Sequence, residues 1–200
     1  MHAEQQDHYP LFPLGGVLFP GGRMALRIFE RRYLDLLRNT LRDDGHFGIV
    51  HLHAGSEVDG KGDEPRIAAV GCQARVVDWD QTEDGLLSVV VEGGPRFRLL
   101  HSYRDDAGLN RGRVEWLSEQ ADIPLPEEAE ELSALLAQLL EHPHVQRMGF
   151  SAEVSGTGEL VNRLAQLLPL SPEDVYPLLE IDEPLHRLDA LHDLLESLSQ

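Results

Sequence analysis

From Tyr9 onward, apolar and polar positions alternate in short runs broken by proline and glycine. Residues 1–8 are polar and read as a loose lead. Residues 9–14 alternate weakly around Pro10 and Pro13, which predicts an edge strand because proline cannot donate to a ladder. Gly15 and Gly16 signal a turn. Val17, Leu18 and Phe19 form a brief apolar run closed by Pro20, Gly21 and Gly22. Met24, Leu26 and Ile28 then alternate with Ala25, Arg27 and Phe29, a strand with one buried face. At Glu30 the period changes. Tyr33, Leu34, Leu37 and Leu41 recur at helical spacing, so a helix is expected over 31–42, ended by Asp43, Asp44 and Gly45.

Further strands are expected at 47–53, 67–79, 86–92, 96–103 and 113–117. Gly71 marks a bulge or bend in the second of these. Turn signals separate them: a glycine-rich loop over 54–65, a hairpin turn over 80–85, Gly93-Gly94-Pro95, and Asn110-Arg111-Gly112. Several short strands with one early helix predict a mostly antiparallel, barrel-like sheet. A parallel α/β fold would need a helical crossover after almost every strand.

After Leu117 the periodicity becomes helical. Leu132, Leu135, Leu136, Leu139 and Leu140 form one stripe, and Leu160, Leu164, Leu167 and Leu168 a second. Pro143 and Pro169 stop them. Ser171, Pro172 and Asp174 read as the capped start of a short helix to about Glu180, and Leu188, Leu191, Leu195 and Leu198 as a final one. The pattern divides the chain into a β-rich part, 1–120, and a helical part, 121–200, with the segment over 118–126 as linker or lead-in.

Charge sharpens this division. The net charge is -18 over 200 residues, with -4 in residues 1–100 and -14 in residues 101–200. Such a field disfavours nucleic acid and anionic lipid as partners. Against it stand Arg23, Arg27, Arg31, Arg32 and Arg38, joined later by Arg96 and Arg98, which read as surface groups, as internal ion pairs or as a protein-contact face. The single cysteine, Cys72, precludes an intrachain disulfide and lies in an apolar strand, as a small buried residue would. It fits a reducing, cytoplasmic setting. No secretory signal and no membrane-spanning stretch is read from the sequence.

Catalytic motifs are missing. The sequence has no GxxxxGK[ST] loop, no GxSxG elbow and no HExxH helix. His51 with His53, and His142 with His144, lack the further ligands a metal would need. Gly21-Gly22 and Gly93-Gly94 read as turns or close backbone approaches rather than anion nests. No cofactor and no metal is expected.

The stretch LFPLGGVLFPGGRMALRIFERRY resembles the N-terminal domain of the Lon ATP-dependent protease family. The resembling positions are Pro13-Leu14, Phe19-Pro20-Gly21, Leu26, Ile28, Phe29, Glu30 and Tyr33. The likeness continues through Phe47-Gly48 to Val50, Val70-Gly71-Cys72, Gly93, Arg96-Phe97, Leu178-Leu179-Glu180, Asp182 and Arg187-Leu188, covering about residues 9–197. It implies an α+β chain: a mostly antiparallel PUA-like pseudo-barrel with one early helix, then a small helical bundle. It also implies substrate recognition without the ATPase and protease modules, whose motifs these residues do not contain.

The function expected is therefore that of a non-catalytic protein- or polypeptide-binding module, in a substrate-recognition or adaptor role. Two alternatives are nucleic-acid binding through the PUA-like barrel and an enzyme with an unrecognised site. Val17, Leu18 and Phe19, with Arg23 and Arg27, are the candidate protein-contact residues. Glu30 is expected to cap the helix or to pair with Arg96.

Overall fold

A computed structural model describes residues 4–54, 66–81, 86–151 and 153–198. The chain divides into two compact units, Met1–Ser118 and Glu119–Gln200. The expected 54–65 loop and the tip of the 80–85 hairpin lie almost wholly outside the described residues.

The first unit is a six-stranded mixed sheet with one helix: β1 (Gln5–Leu14), β2 (Arg23–Ile28), α1 (Arg31–Asp43), β3 (Phe47–Ala54), β4 (Arg66–Gln81), β5 (Leu87–Arg104) and β6 (Asn110–Trp116). The strand order is β2-β5-β4-β3-β1-β6, and β6 also pairs with β5, so five strands close into a ring with β2 added outside it. All pairings are antiparallel except β1 with β3. That parallel pair needs a crossover, and β2 with α1 supplies it.

Four expectations for this unit are corrected. β1 is not an edge strand: residues 11–14 pair with β3, and its earlier residues pair with β6. Each proline stands where only one neighbour is in register, Pro10 opposite Arg111 and Pro13 opposite Val50, so a missing donor is tolerated on the other side. Residues 5–8 of the lead are not loose either, since β1 starts at Gln5 and resumes after a bulge at which His8 takes a φ of 58°.

Gly93-Gly94-Pro95 does not turn the chain. β5 runs through it unbroken. Cys72 faces Arg96 and Ala74 faces Gly93, so β5 carries one extra residue there. At this bulge β5 exchanges one neighbour for another. Residues 87–92 pair with β2, and residues 97–104 with β6. A bulge bends a strand without ending it, which is why a turn-like composition sits mid-strand.

The last turn precedes Asn110, which opens β6. Asp105 makes that turn by accepting from the N–H groups of Ala107 and Leu109, both at 3.0 Å. Arg96 is fully buried, so of the readings open to it the internal one fits.

Two apolar clusters fill the unit. One gathers Phe12, Leu18, Ile28, Tyr33, Leu37, Phe47 and Val91 around the inner face of α1. The other surrounds Phe97, which meets Tyr9 and Trp116 edge-on at 5.6 and 5.8 Å between ring centroids. The Phe97 ring lies where a Cβ on Gly48 or Gly71 would sit, 2.5 Å from each, so those strands must carry glycine. Cys72 is buried as expected, its thiol donating to the Gly94 carbonyl at 3.2 Å.

The second unit is helical: a short 3-10 turn over Glu127–Ala129, α2 (Glu130–Leu140), α3 (Pro143–Arg147), α4 (Thr157–Leu167), α5 (Pro172–Glu180) and α6 (Pro184–Leu198). Pro143 ends the α2 stripe as expected, but as the first residue of a short helix. Ser171 caps α5: its Oγ accepts from the Asp174 N–H at 3.2 Å, and its hydroxyl donates to the Asp174 carboxylate at 2.7 Å. Leu160, Val161 and Leu164 of α4 are fully buried, with Leu191 of α6.

Two polar devices hold this bundle. Asp122, in the expected linker, accepts from the Gly158 and Glu159 N–H groups at 2.7 and 3.1 Å and so caps α4 from 36 residues away. Arg187 is 3% exposed, donating to Asn162 Oδ1 at 2.8 Å and to the Ile181 carbonyl.

Candidate functional site

The turn after β1 is tied to the β5 bulge. The Gly21 N–H donates to the Gly93 carbonyl at 2.8 Å, and the Gly93 N–H to the Gly22 carbonyl at 2.9 Å. Gly21 has a φ of 70°, a left-handed conformation that glycine adopts without strain. This lock sets where β2 begins. It also buries the first three candidate contact residues: Val17, Leu18 and Phe19 are 7%, 1% and 0% exposed. Their side chains face inward and present no surface.

The remaining two candidates lie on β2. Arg23 is half-buried and donates to Glu92 on β5 from Nε and Nη2 at 2.9 and 2.7 Å; Arg75 reaches the other Glu92 oxygen at 3.2 Å. Partial burial opposes ionisation of Glu92, but the hydrogen bonds and charges of Arg23 and Arg75 outweigh it and hold the carboxyl below its ordinary range. Arg27 is exposed.

Beside β2 runs a cleft of about 270 Å³. Phe12, Pro13 and Leu14 of β1 form one wall, Met24, Leu26 and Ile28 of β2 the other, and Tyr33 of α1 the floor. Tyr33 stacks on Phe12 at 4.0 Å between centroids, with the Arg32 guanidinium 4.8 Å from its ring centre. Burial pushes the Tyr33 phenol up, only partly offset by Arg32, so it stays a neutral wall. Glu30 occupies the N-cap position of α1 without a side-chain cap bond and pairs with Arg32 at 2.7 Å. Arg96, the other partner expected for Glu30, is fully buried.

Ile28 also borders a second cleft, of about 260 Å³, with Leu34, Trp79, Leu86 and Leu87. At its rim Trp79 is 60% exposed, and Phe29, on the rim of the first cleft, is 58% exposed. The two clefts share Ile28, and each has an exposed aromatic at its rim. Phe29 was legible as an outward member of its strand. Trp79 was not singled out, although its flanking by Asp78 and Asp80 signals a solvent-facing strand end.

A larger cleft, of about 520 Å³, lies between α1 and the turn before β6. Its charged walls largely satisfy themselves. Asp35 pairs with Arg38, Asp43 with Arg42, and Asp105 with Arg111, at 2.7–2.9 Å. Burial opposes ionisation of Asp105, but Arg111 and two backbone N–H groups keep its carboxyl below the usual range. Among the described residues, no group of three or more His, Cys, Asp or Glu is placed to hold a metal. No helix of the described residues is long and apolar enough to cross a membrane.

Both clefts around Ile28 are lined largely by apolar side chains, with Arg27 and Glu30 at the first. Residues 8–197 match the family model of the ATP-dependent protease La (Lon) substrate-binding domain, and the chain belongs to that family. It is 31% identical over 204 residues to Lon protease 1 of Bdellovibrio bacteriovorus, which covers 96% of this chain and 25% of that protein. It is 27% identical over 194 residues to Lon protease of Anaeromyxobacter dehalogenans, covering 93% of this chain and 22% of that one. The chain thus spans about a quarter of the length of these relatives, and the region matched carries no ATPase or protease motif.

The crystal structure of a Lon N-terminal domain protein from Xanthomonas campestris superposes with a TM-score of 0.73 at 35% identity, covering 95% of this chain and 98% of that one. The N-terminal domain of the Mycobacterium avium complex Lon protease shares the fold at a TM-score of 0.62 and 15% identity, with coverages of 96% and 97%.

Proposed function

We propose that this chain is a polypeptide-recognition module that binds apolar segments of unfolded proteins through the paired clefts around Ile28. One observation carries the reading: two exposed aromatics, Phe29 and Trp79, rim adjacent apolar clefts on a domain of the Lon substrate-binding family. Exposed aromatics beside apolar pockets are the usual anchors of protein contacts. Arg23 and Arg27, on the strand between the clefts, orient the bound segment. The closed ring of strands is the PUA-like pseudo-barrel of this proposal, and the two units are its barrel and bundle subdomains. Within it the chain serves as a substrate-recognition or adaptor element for proteolysis in a cytoplasmic setting.

The test compares binding of a reduced, alkylated model protein with binding of its native form. Selective binding of the unfolded form is expected, weakened about tenfold or more by Phe29→Ser with Trp79→Ser. These positions are exposed enough that folding stability should change by no more than about 0.5 kcal/mol each. Equal affinity of parent and double variant, or no preference for the unfolded form, refutes the reading.

A further inference from the structure

We infer that the helical unit, Glu119–Gln200, is held under its own charge repulsion and is the salt-sensitive part of the chain: it loosens at low ionic strength and tightens as counter-ions screen it, while the sheet unit does not follow. The property does not depend on what the chain binds.

Residues 119–200 carry seventeen carboxylates and three arginines, a net of -14. Burial sharpens the imbalance. Fifteen of these carboxylates are exposed, and Glu159 and Glu183 are half-buried. Arg163 and Arg187 are 5% and 3% exposed, so among the described residues Arg147 is the one arginine of this unit at the surface. The helix ends repeat the pattern. None of α2, α4, α5 and α6 has a basic residue in its last turn. Glu141 is the C-cap of α2, Glu180 ends α5, and Glu196 lies in the last turn of α6. There the negative end of the helix dipole disfavours a carboxylate. Glu130, Glu131, Glu173 and Asp174, in first turns, gain from the dipole and still repel one another.

The sheet unit is built the other way. Residues 1–118 carry eighteen carboxylates against fourteen lysines and arginines. Ion pairs join its neighbouring strands: Arg23 and Arg75 to Glu92 at 2.7 and 3.2 Å, Arg98 to Glu115 and Arg113 to Asp7, both at 3.5 Å. Salt weakens such attractions, whereas in the helical unit it relieves repulsion. A unit of the helical part's length has a radius of gyration of about 12 Å. The screening length falls from about 30 Å at 0.01 M salt to about 8 Å at 0.15 M. Each carboxylate therefore feels the whole unit in the first case and only its neighbours in the second.

The experiment unfolds the full chain with urea, which is uncharged, at 10 and at 200 mM sodium chloride. Circular dichroism at 222 nm follows the helices, most of which belong to this unit, and fluorescence of Trp79 and Trp116 follows the sheet unit. Between the two salt concentrations the 222 nm midpoint is expected to rise by about 0.5 M urea or more, and the fluorescence midpoint to rise by less than half as much or to fall. Glu141→Lys with Glu196→Lys takes the net charge of these residues from -14 to -10. Repulsion grows as the square of the charge, so the double variant should show about half the salt-induced shift at 222 nm. A 222 nm midpoint that falls or stays fixed with salt overturns the inference. So does an equal rise in both signals, or a double variant with the parent's full shift.

Discussion

Gly93→Ala tests how the β2 edge is held. A Cβ at Gly93 would stand 2.0 Å from the Phe19 carbonyl oxygen, 2.9 Å from its carbon and 3.1 Å from Cys72 Sγ. The first two are backbone atoms in a buried turn, so relief requires the chain to separate from β5. That separation breaks the two backbone hydrogen bonds joining Gly93 to Gly21 and Gly22. Each such bond contributes about 1 kcal/mol net, and forcing atoms into a filled interior costs about 1–3 kcal/mol. The expected loss is about 3–5 kcal/mol, a large share of the 5–15 kcal/mol typical of a domain.

Gly94→Ala is the control. There the nearest atom is the Gln73 Oε1, 2.9 Å away at the end of a flexible side chain, so a cost under about 1 kcal/mol is expected. Urea unfolding followed by tryptophan fluorescence reads the first unit alone, because both tryptophans, Trp79 and Trp116, belong to it. With a slope of about 2 kcal/mol per molar, Gly93→Ala should lower the midpoint by roughly 1.5–2.5 M. A shift under about 0.5 M, or an equal shift for Gly94→Ala, would refute the close-approach argument.

Asp122→Ala should destabilise the helical unit by about 1–2 kcal/mol through loss of the α4 cap, read as earlier unfolding by far-UV circular dichroism; an unchanged transition would remove Asp122 from that role. Arg187→Met strips the partners from Asn162 Oδ1 and the Ile181 carbonyl in a buried site, and about 2–4 kcal/mol should be lost, with Arg187→Lys recovering only part. Glu92, Asp105 and Glu159 all have carboxyls held below their ordinary values, 4.5 for the glutamates and 3.8 for the aspartate. Their contribution to stability is present above the unfolded values and is lost as pH falls through the folded ones. Thermal scans should therefore show little change from these groups between pH 6 and 8 and a decline below about pH 4.5. High salt should shrink that decline because the groups are partly solvated. A loss of stability centred near neutral pH would contradict the assignment.

Local periodicity sufficed wherever an element's partners are near in sequence. The α1 stripe, the Ser171 cap and the apolar faces of α4 and α6 are visible because helical contacts repeat every three or four residues. The single early helix correctly limited the sheet to few parallel connections. The 9–33 stretch and the later motifs carry the family likeness in the sequence itself, since a long ordered set of prolines, glycines and apolar residues rarely recurs by chance.

Tertiary structure alone decided which of these residues a partner can reach. Composition shows Val17, Leu18 and Phe19 as an apolar run beside a turn; only the Gly93 contact turns them inward and leaves Phe29 and Trp79 outside. The same holds for the bulge that carries β5 through Gly93-Gly94-Pro95, the two half-partnered prolines of β1, and Asp122 capping a helix 36 residues on. Each depends on register between segments distant in the chain. Register is set by the closing of the whole sheet or bundle, and no window of neighbouring residues records it.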